Sequence, residues 1–268
     1  ETFVARTQLL LKHPIHYLDG GWQTLVNALR ERAERSGARI EAATGVESID
    51  FQGGLAQGVR LRDGRAVSAS AVIVATSPRD AVKLLGDRAD SSLRKTIDNF
   101  VPAQVACLDV ALQRLPTSRQ FVVQDLDRPR FLTIQSQYAR IAPAGAVLLH
   151  TMKQLDLRQP ADPRDDERDL EDLLDATLPG WREVVVRRSF LPRLQASSAL
   201  PTAVNGGFAG RPGPRVEGGT DLYLAGDWVG PEGFLTDASL ASARQAAHMV
   251  AETQVSANRQ RMAVRSAR

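Results

Sequence analysis

Cysteine is almost absent: Cys107 stands alone among 268 residues, so neither a disulfide framework nor a thiolate cluster for zinc or iron–sulfur can form within the chain. Long apolar runs are missing too. Stretches such as Ala71-Val72-Ile73-Val74-Ala75 fall far short of the ~20 residues that a membrane-spanning helix needs. The N-terminus lacks the charged, apolar and small-residue order of a signal peptide, and a soluble, cytoplasmic protein is the expectation. Lysine is scarce, four against 30 Arg, yet the 34 basic residues are interleaved with 31 acids and the net charge is only +3. With aromatics at 5% and no recognition motif, nucleic acid is excluded as the expected partner. The exception is the tail, where Arg259, Arg261, Arg265 and Arg268 occur without an acid. They read either as a solvated end or as a contact with anionic lipid or another subunit, a peripheral membrane contact being one form of this.

Several chemical motifs are also missing. No G-x-G-x-x-G, Walker lysine loop or Gly-x-Ser-x-Gly occurs anywhere in the chain, which removes the common glycine-rich phosphate cradles and the serine-nucleophile elbow. His13 and His16 are three apart but have no third ligand nearby, so no metal site is expected.

What is present is the composition of a folded domain, 43% apolar and 24% charged, with length for one large domain or two modest ones. Trp22, Leu25, Val26, Leu29 and Ala33 recur with helical spacing between Gly20-Gly21 and Gly37, which predicts an amphipathic helix over 22–36. Strand-like runs follow at 38–41, 46–51, 55–61 and 66–76, with hairpin signals at Gly53-Gly54 and Asp63-Gly64. The end of the last run, Ala71 to Thr76, is continuously apolar and predicts a strand buried on both faces, stopped by Ser77-Pro78 before a short helix.

The texture changes between about Gly86 and Arg215. Strand candidates at 104–112, 120–124, 131–137 and 146–153 are joined by polar or Pro-containing turns, and a helix over 163–178 and a strand over 183–190 follow. This predicts an α+β unit on an antiparallel sheet. Residues 196–219 read as a crossing loop, after which the first texture returns. The outer segments therefore read as one α/β domain into which the middle is inserted.

The stretch richest in chemistry is Leu222-Tyr223-Leu224-Ala225-Gly226-Asp227-Trp228, then Gly233-Phe234-Leu235-Thr236-Asp237-Ala238-Ser239. A short buried strand delivers Gly226 and the Asp227 carboxylate to its C-terminal edge, where doubly wound sheets bind ligands. A helix over 237–252 then starts without bulky side chains, and its free N–H groups suit an anion or partial negative charge near Thr236. Asp227 suits hydrogen bonds from sugar or ribityl hydroxyls. An ordinary structural strand–helix unit is the competing reading.

This stretch resembles the C-terminal flavin motif of the FAD-dependent amine oxidase and phytoene desaturase superfamily. A second block, Tyr17-Leu18-Asp19-Gly20-Gly21-Trp22 through Ala71-Val72-Ile73-Val74-Ala75-Thr76-Ser77-Pro78, resembles the segment that precedes the substrate domain in those enzymes. The resemblance implies an α/β fold: an incomplete FAD-binding Rossmann-like domain (1–85 and 216–268) with an inserted α+β antiparallel-sheet substrate domain (86–215). It implies FAD as cofactor, with Gly226 and Asp227 at its ribityl or pyrophosphate portion. Phe234, Leu235 and Thr236 fall beside the isoalloxazine, Val46 at the adenine, and Ala75 and Thr76 at a strand end near the cofactor.

The implied activity is hydride abstraction from a C–N or C–C bond of an amine or isoprenoid-like small molecule. No catalytic residue follows, Lys153 being the candidate by location for a lysine near the flavin N5 and an exposed strand-end lysine the alternative. His150 faces a substrate cavity or fills the core, and Trp22, Trp181 and Trp228 read as packing residues, with a place beside the flavin as the alternative for Trp228, which directly follows Gly226-Asp227. Because the family begins with a G-x-G-x-x-G unit, the chain, starting at Glu1, reads as the C-terminal portion of such an enzyme. The missing motif is expected from an N-terminal segment or from a partner chain in a split flavoenzyme. An inert binding or assembly relative is the remaining alternative.

Overall fold

The computed structural model describes residues 16–116, 121–159, 161–218 and 221–266, with side chains as far as Val255. It divides into two compact units, each made of two stretches of chain: 1–40 with 104–194, and 41–103 with 195–268. These boundaries differ from the expected 85/86 and 215/216. The helices after Ser77 pack through Ala81, Leu85, Ala89 and Ile97 into the core of the second unit, which carries the boundary past residue 98. The segment before the first helix belongs to the first unit, tied there by Arg140, whose backbone N–H donates to Asp19 Oδ1 at 2.7 Å and whose carbonyl accepts from Gly20 N at 3.0 Å.

The first unit is built on a five-stranded sheet. Its strands are β5 (Ala103–Leu112), β6 (Val122–Gln124), β7 (Arg130–Thr133), β8 (Val147–Gln154) and β9 (Val185–Ser197), in the order β6-β7-β8-β5-β9. The pairings β6–β7, β7–β8 and β8–β5 are antiparallel, as the polar connections predict. Alternate residues Ala106, Leu108, Val110 and Leu112 of β5, with Val147 and Leu149 of β8, form one apolar face. Onto it packs α4 (Pro163–Thr177) through Leu170, Leu173 and Leu174. The helix starts where Asp162 accepts a hydrogen bond from Arg164 N at 2.9 Å, Pro163 occupies its first turn, and Asp165 and Asp166 complement the dipole.

Beside this apolar contact lies an ion cluster. Lys153 Nζ is 3.0 Å from Asp166 Oδ1 and 2.8 Å from Asp169 Oδ2. Arg193 reaches Asp166 Oδ2 at 3.0 Å, and Arg130 reaches Asp169 Oδ1 at 3.0 Å and Asp125 Oδ2 at 2.5 Å. Burial pushes the Lys153 ammonium toward deprotonation, but Asp169 and Asp166 outweigh it and hold its pKa above the usual lysine value.

In this unit α1 (Trp22–Arg35) forms as its spacing predicts, but none of its residues is buried. Trp22, expected to pack, is 58% exposed, and Val26 and Leu29 lie exposed on the same stripe. The expected strand over 38–41 is irregular chain, since a strand exists only with a ladder partner and no described strand runs beside it.

The second unit holds an antiparallel meander of β1 (Val46–Gln52), β2 (Leu55–Leu61) and β3 (Ala66–Ser68). Gly58 is required there: a Cβ at that position would stand 2.1 Å from the Val67 carbonyl oxygen. The run 66–76 is two strands rather than one, β3 and then β4 (Val72–Val74), and β4 pairs in parallel with β10 (Leu222–Leu224). Val74 is buried but Ile73 is 41% exposed, so β4 is covered on one face only; β10 is its single neighbour among the described residues. The short helices α2 (Pro78–Leu85) and α3 (Ser91–Asp98) are capped by Ser77 and Asp90. The last helix, α5 (Thr236–Ser266), runs past the expected end at 252 and buries the small residues Ala238, Ala241, Ser242 and Ala246. Arg259, Arg261 and Arg265 lie in the part whose side chains are outside the described residues, and Arg268 lies outside them altogether. Among the described residues no helix is long and apolar enough to cross a membrane.

Removing one member of the ion cluster strands its partners. Asp166→Ala is expected to cost about 3–5 kcal/mol, read as a lower urea midpoint at unchanged slope; a loss below ~1 kcal/mol would show that water already satisfies these charges.

Candidate functional site

The parallel register Val74↔Leu224 brings two strand ends to one edge. Beyond them come Ala75-Thr76 and Ala225-Gly226-Asp227. Ala225 N donates to the Val74 carbonyl at 3.0 Å, and Trp228 Nε1 donates to the Thr76 carbonyl at 3.0 Å. The indole can lie there because residue 226 is glycine: a Cβ would meet Trp228 Nε1 at 2.7 Å. Trp228 is fully buried, so its placement as a packing residue holds and its N–H also ties the two strand ends together.

Helix α5 fixes the same edge from below. Ser242 Oγ accepts from Gly226 N at 3.0 Å and lies 3.1 Å from the carbonyl oxygens of Gly226 and Ser239. Asp227 is oriented by the crossing segment, whose Ser198 N donates to Oδ2 at 2.8 Å and Ser197 Oγ at 3.2 Å. Both bonds go to Oδ2, so Oδ1 takes no hydrogen bond among the described residues. The chain then turns through Gly233, where a Cβ would stand 2.8 Å from Ala238 N. Leu235 follows with φ 53°, a left-handed conformation that costs a leucine about 1–3 kcal/mol. Phe234 and Leu235 are 39% and 40% exposed, and Thr236 opens α5 with the positive end of the helix dipole, the Asp237 N–H being bonded to the Phe234 carbonyl at 3.2 Å.

The sequence-derived residues thus fall in three neighbouring places. Val46, Ala75 and Thr76 line an open cleft of ≈ 860 Å³ with Val72, Ile73 and Asp80. Gly226 and Asp227 occupy the β10 end, and Phe234, Leu235 and Thr236 form the turn into α5; neither group is part of that cleft's wall. Ser197, Ser198 and Arg211 belong to the same surroundings and escape sequence reasoning. Arg211, between Gly210 and Pro212 with no acid beside it, has the weak signal of a charge set in a rigid loop.

Other candidates lie elsewhere. Lys153 is neither exposed nor free, its ammonium being held by Asp166 and Asp169 in the cluster described above. His150 alternates with core residue Leu149 and so stands on the sheet face turned away from α4. Its Nδ1 is hydrogen-bonded to Asp109 Oδ1. Burial pushes its pKa down, but Asp109 and the Cys107 thiol outweigh this and raise it to about 9. His13 lies outside the described residues, and with it the His13–His16 pairing.

Comparison with solved structures gives the class first. An oxidoreductase from Methanosarcina mazei matches with a TM-score of 0.68 at 18% identity, over 86% of this chain and 55% of that one. Cyclohexylamine oxidase from Brevibacterium oxydans matches at 0.59 and 16%, over 88% and 53%. Reduced UDP-galactopyranose mutase matches at 0.65 and 13%, over 87% and 52%. At these identities the likeness establishes the fold, a mixed α/β architecture, and the chain spans about half the length of each. No curated protein matches it in sequence. The family is reached through residues 6–249, which match the FAD dependent oxidoreductase family, and the chain belongs to it. Its cofactor is FAD.

The residues at the strand edge suit that group. Asp227 presents an unengaged acceptor oxygen, Phe234 and Leu235 offer exposed apolar surface for an aromatic ring, and the α5 start offers N–H donors.

Ser242→Ala removes a buried hydroxyl that accepts the Gly226 N–H; a loss of about 1–3 kcal/mol is expected, measured by urea unfolding. The His150–Asp109 pair gives a pH signature. With the folded value at about 9 and the unfolded value near 6.5, its contribution is complete below pH ~6.5 and is lost as pH rises through about 9. That contribution is about 3 kcal/mol at most. Wild type is therefore expected to lose more stability than Asp109→Asn between pH 6 and 9.5; parallel curves would sink the assignment.

Proposed function

We propose that this chain is the part of an FAD-dependent oxidoreductase that holds the flavin end of the cofactor and carries the substrate domain, and that the enzyme abstracts a hydride from a C–N or C–C single bond of an amine or isoprenoid-like substrate. Bound FAD supplies the hydride acceptor. The protein's part is to orient and to exclude water. Asp227 Oδ1 would accept from the ribityl portion, Phe234 and Leu235 would lie beside the ring, and the Thr236 N–H would face its pyrimidine edge, where a helix N-terminus favours negative charge. Val46 would meet the adenine, with Ala75 and Thr76 at the strand end in the same cleft. The inserted antiparallel unit takes the substrate.

The observation that carries this reading is Asp227: a carboxylate at the end of a parallel strand, held through one oxygen by Ser197 and Ser198 with the other unengaged. The oxidation of amines is supported by similarity to cyclohexylamine oxidase and putrescine oxidase. The isoprenoid alternative rests on the sequence resemblance. Because the 268 residues contain no G-x-G-x-x-G, the pyrophosphate contacts are assigned to a segment carrying that motif, on the same polypeptide or on a partner chain.

The test is uptake of FAD. Protein mixed with FAD and freed of excess by gel filtration is expected to show the visible flavin spectrum, alone or with the motif-bearing segment supplied. Asp227→Ala is expected to weaken retention tenfold or more, a loss of ~1.4 kcal/mol, with unchanged far-UV circular dichroism. A colourless preparation under both conditions overturns the reading.

A further inference from the structure

One buried charge at this edge is left without a counter-ion. Arg211 is 7% exposed. Its loop is clamped along β10 and the following turn by Leu224 N to the Pro214 carbonyl at 2.6 Å and Gly230 N to the Pro212 carbonyl at 2.8 Å. Gly210 leaves no freedom, since a Cβ there would stand 1.5 Å from the Asn205 carbonyl oxygen. The guanidinium carbon lies 4.8 Å from the centre of the Phe208 ring, which meets Phe234 edge-on with centroids 6.2 Å apart. Nη1 donates to the Gly233 carbonyl at 3.0 Å. Nε and Nη2 are buried and make no hydrogen bond, and among the described residues no carboxylate forms an ion pair with the group.

Such burial is costly, several kcal/mol for an unpaired ion. Desolvation holds the Arg211 pKa below the usual arginine value, with Asp227 acting in the opposite sense from a distance. Folded proteins tolerate an uncompensated group where something arrives to compensate it. The position says where. Nη1 is bonded to Gly233, three residues ahead of the α5 start, and the ring under the guanidinium touches Phe234 of the same turn. The positive charge thus stands beside the turn that leads into α5, where its potential adds to that of the helix dipole.

We propose that Arg211 is a positioning residue of the flavin site: it locks the 233–235 turn and places a buried positive charge beside that turn into α5, which stabilises the negative charge gained at the flavin's pyrimidine edge on reduction. This rests on the flavin reading above. The balance is simple. A hydride transferred from substrate carries two electrons and one proton, so the ring gains one negative charge while the substrate gains one positive charge or loses a further proton to solvent. Arg211 keeps its own proton throughout.

The test uses protein loaded with saturating FAD and sulfite as probe, because sulfite adds to a flavin ring and leaves one negative charge on it. Arg211→Met is expected to weaken sulfite binding tenfold or more and to lower the two-electron midpoint potential by about 30 mV, the equivalent of tenfold. Arg211→Lys, which keeps the charge, is expected to stay within about threefold of wild type on the same scale. A merely structural role would change FAD affinity and thermal stability and leave sulfite affinity untouched, so Arg211→Met with wild-type sulfite affinity and potential overturns the proposal. Should Arg211→Met fail to take up FAD, uptake restored by Arg211→Lys supports the role of the charge, and a lysine variant no better than methionine overturns it. Failure of the wild-type protein to take up FAD, both alone and with the motif-bearing segment supplied, overturns the flavin reading itself, and this assignment with it.

Discussion

Two three-residue strands, β4 and β10, lie side by side in parallel, and the residues of the proposed site other than Val46 hang from that pairing. A two-stranded pair is marginal by itself, so the edge is held by bonds from outside the ladder. Ser242 of α5 engages the Gly226 backbone, and Trp228 reaches across to the Thr76 carbonyl. Ser197 and Ser198 orient Asp227. The small residues that α5 buries let the helix approach closely enough for Ser242 to reach its target. Once this edge is fixed, the turn through Gly233 follows, and with it the strained Leu235 and the exposed start of α5.

The two units treat buried charge in opposite ways. In the antiparallel unit Lys153, Arg130 and Arg193 are matched by Asp166, Asp169 and Asp125, and the result is a pinned helix on a sheet. Near the strand edge Arg211 is more deeply buried than any of these three and has no ion-pair partner among the described residues. Paired ions add geometry and a modest net energy, since desolvation offsets attraction. An unpaired one stores electrostatic potential, which has a use only where a charge of opposite sign arrives. That contrast separates Lys153, which location alone offers as a catalytic candidate, from Arg211.

The solved structures that share this fold include an amine oxidase and a sugar mutase. Likeness at this level fixes the architecture and leaves the reaction to be read from the residues of the site. In the proposed reading those residues are Asp227, the 234–236 turn and the groups behind them.

Much of the local structure was legible in the sequence. The helices α1 and α4 follow from apolar spacing and end residues, and β1 and β2 from runs broken by glycine. The strand ending in Gly226-Asp227 before a helix is likewise a local pattern, so the candidate edge could be named without coordinates. What lies opposite each residue could not. The Asp227 partners are 29 and 30 positions away, Trp22 and Ile73 are exposed despite apolar patterns, and residues 38–41 stay irregular for want of a neighbouring strand. Periodicity, capping and turn chemistry act over a few residues, so the sequence by itself determined where helices and strands begin and which carboxylate stands at a strand end. Burial and charge pairing depend on what distant chain is brought into contact, so only the tertiary structure decided that Lys153 is neutralised and that, among the described residues, Asp227 Oδ1 takes no hydrogen bond and Arg211 has no ion-pair partner.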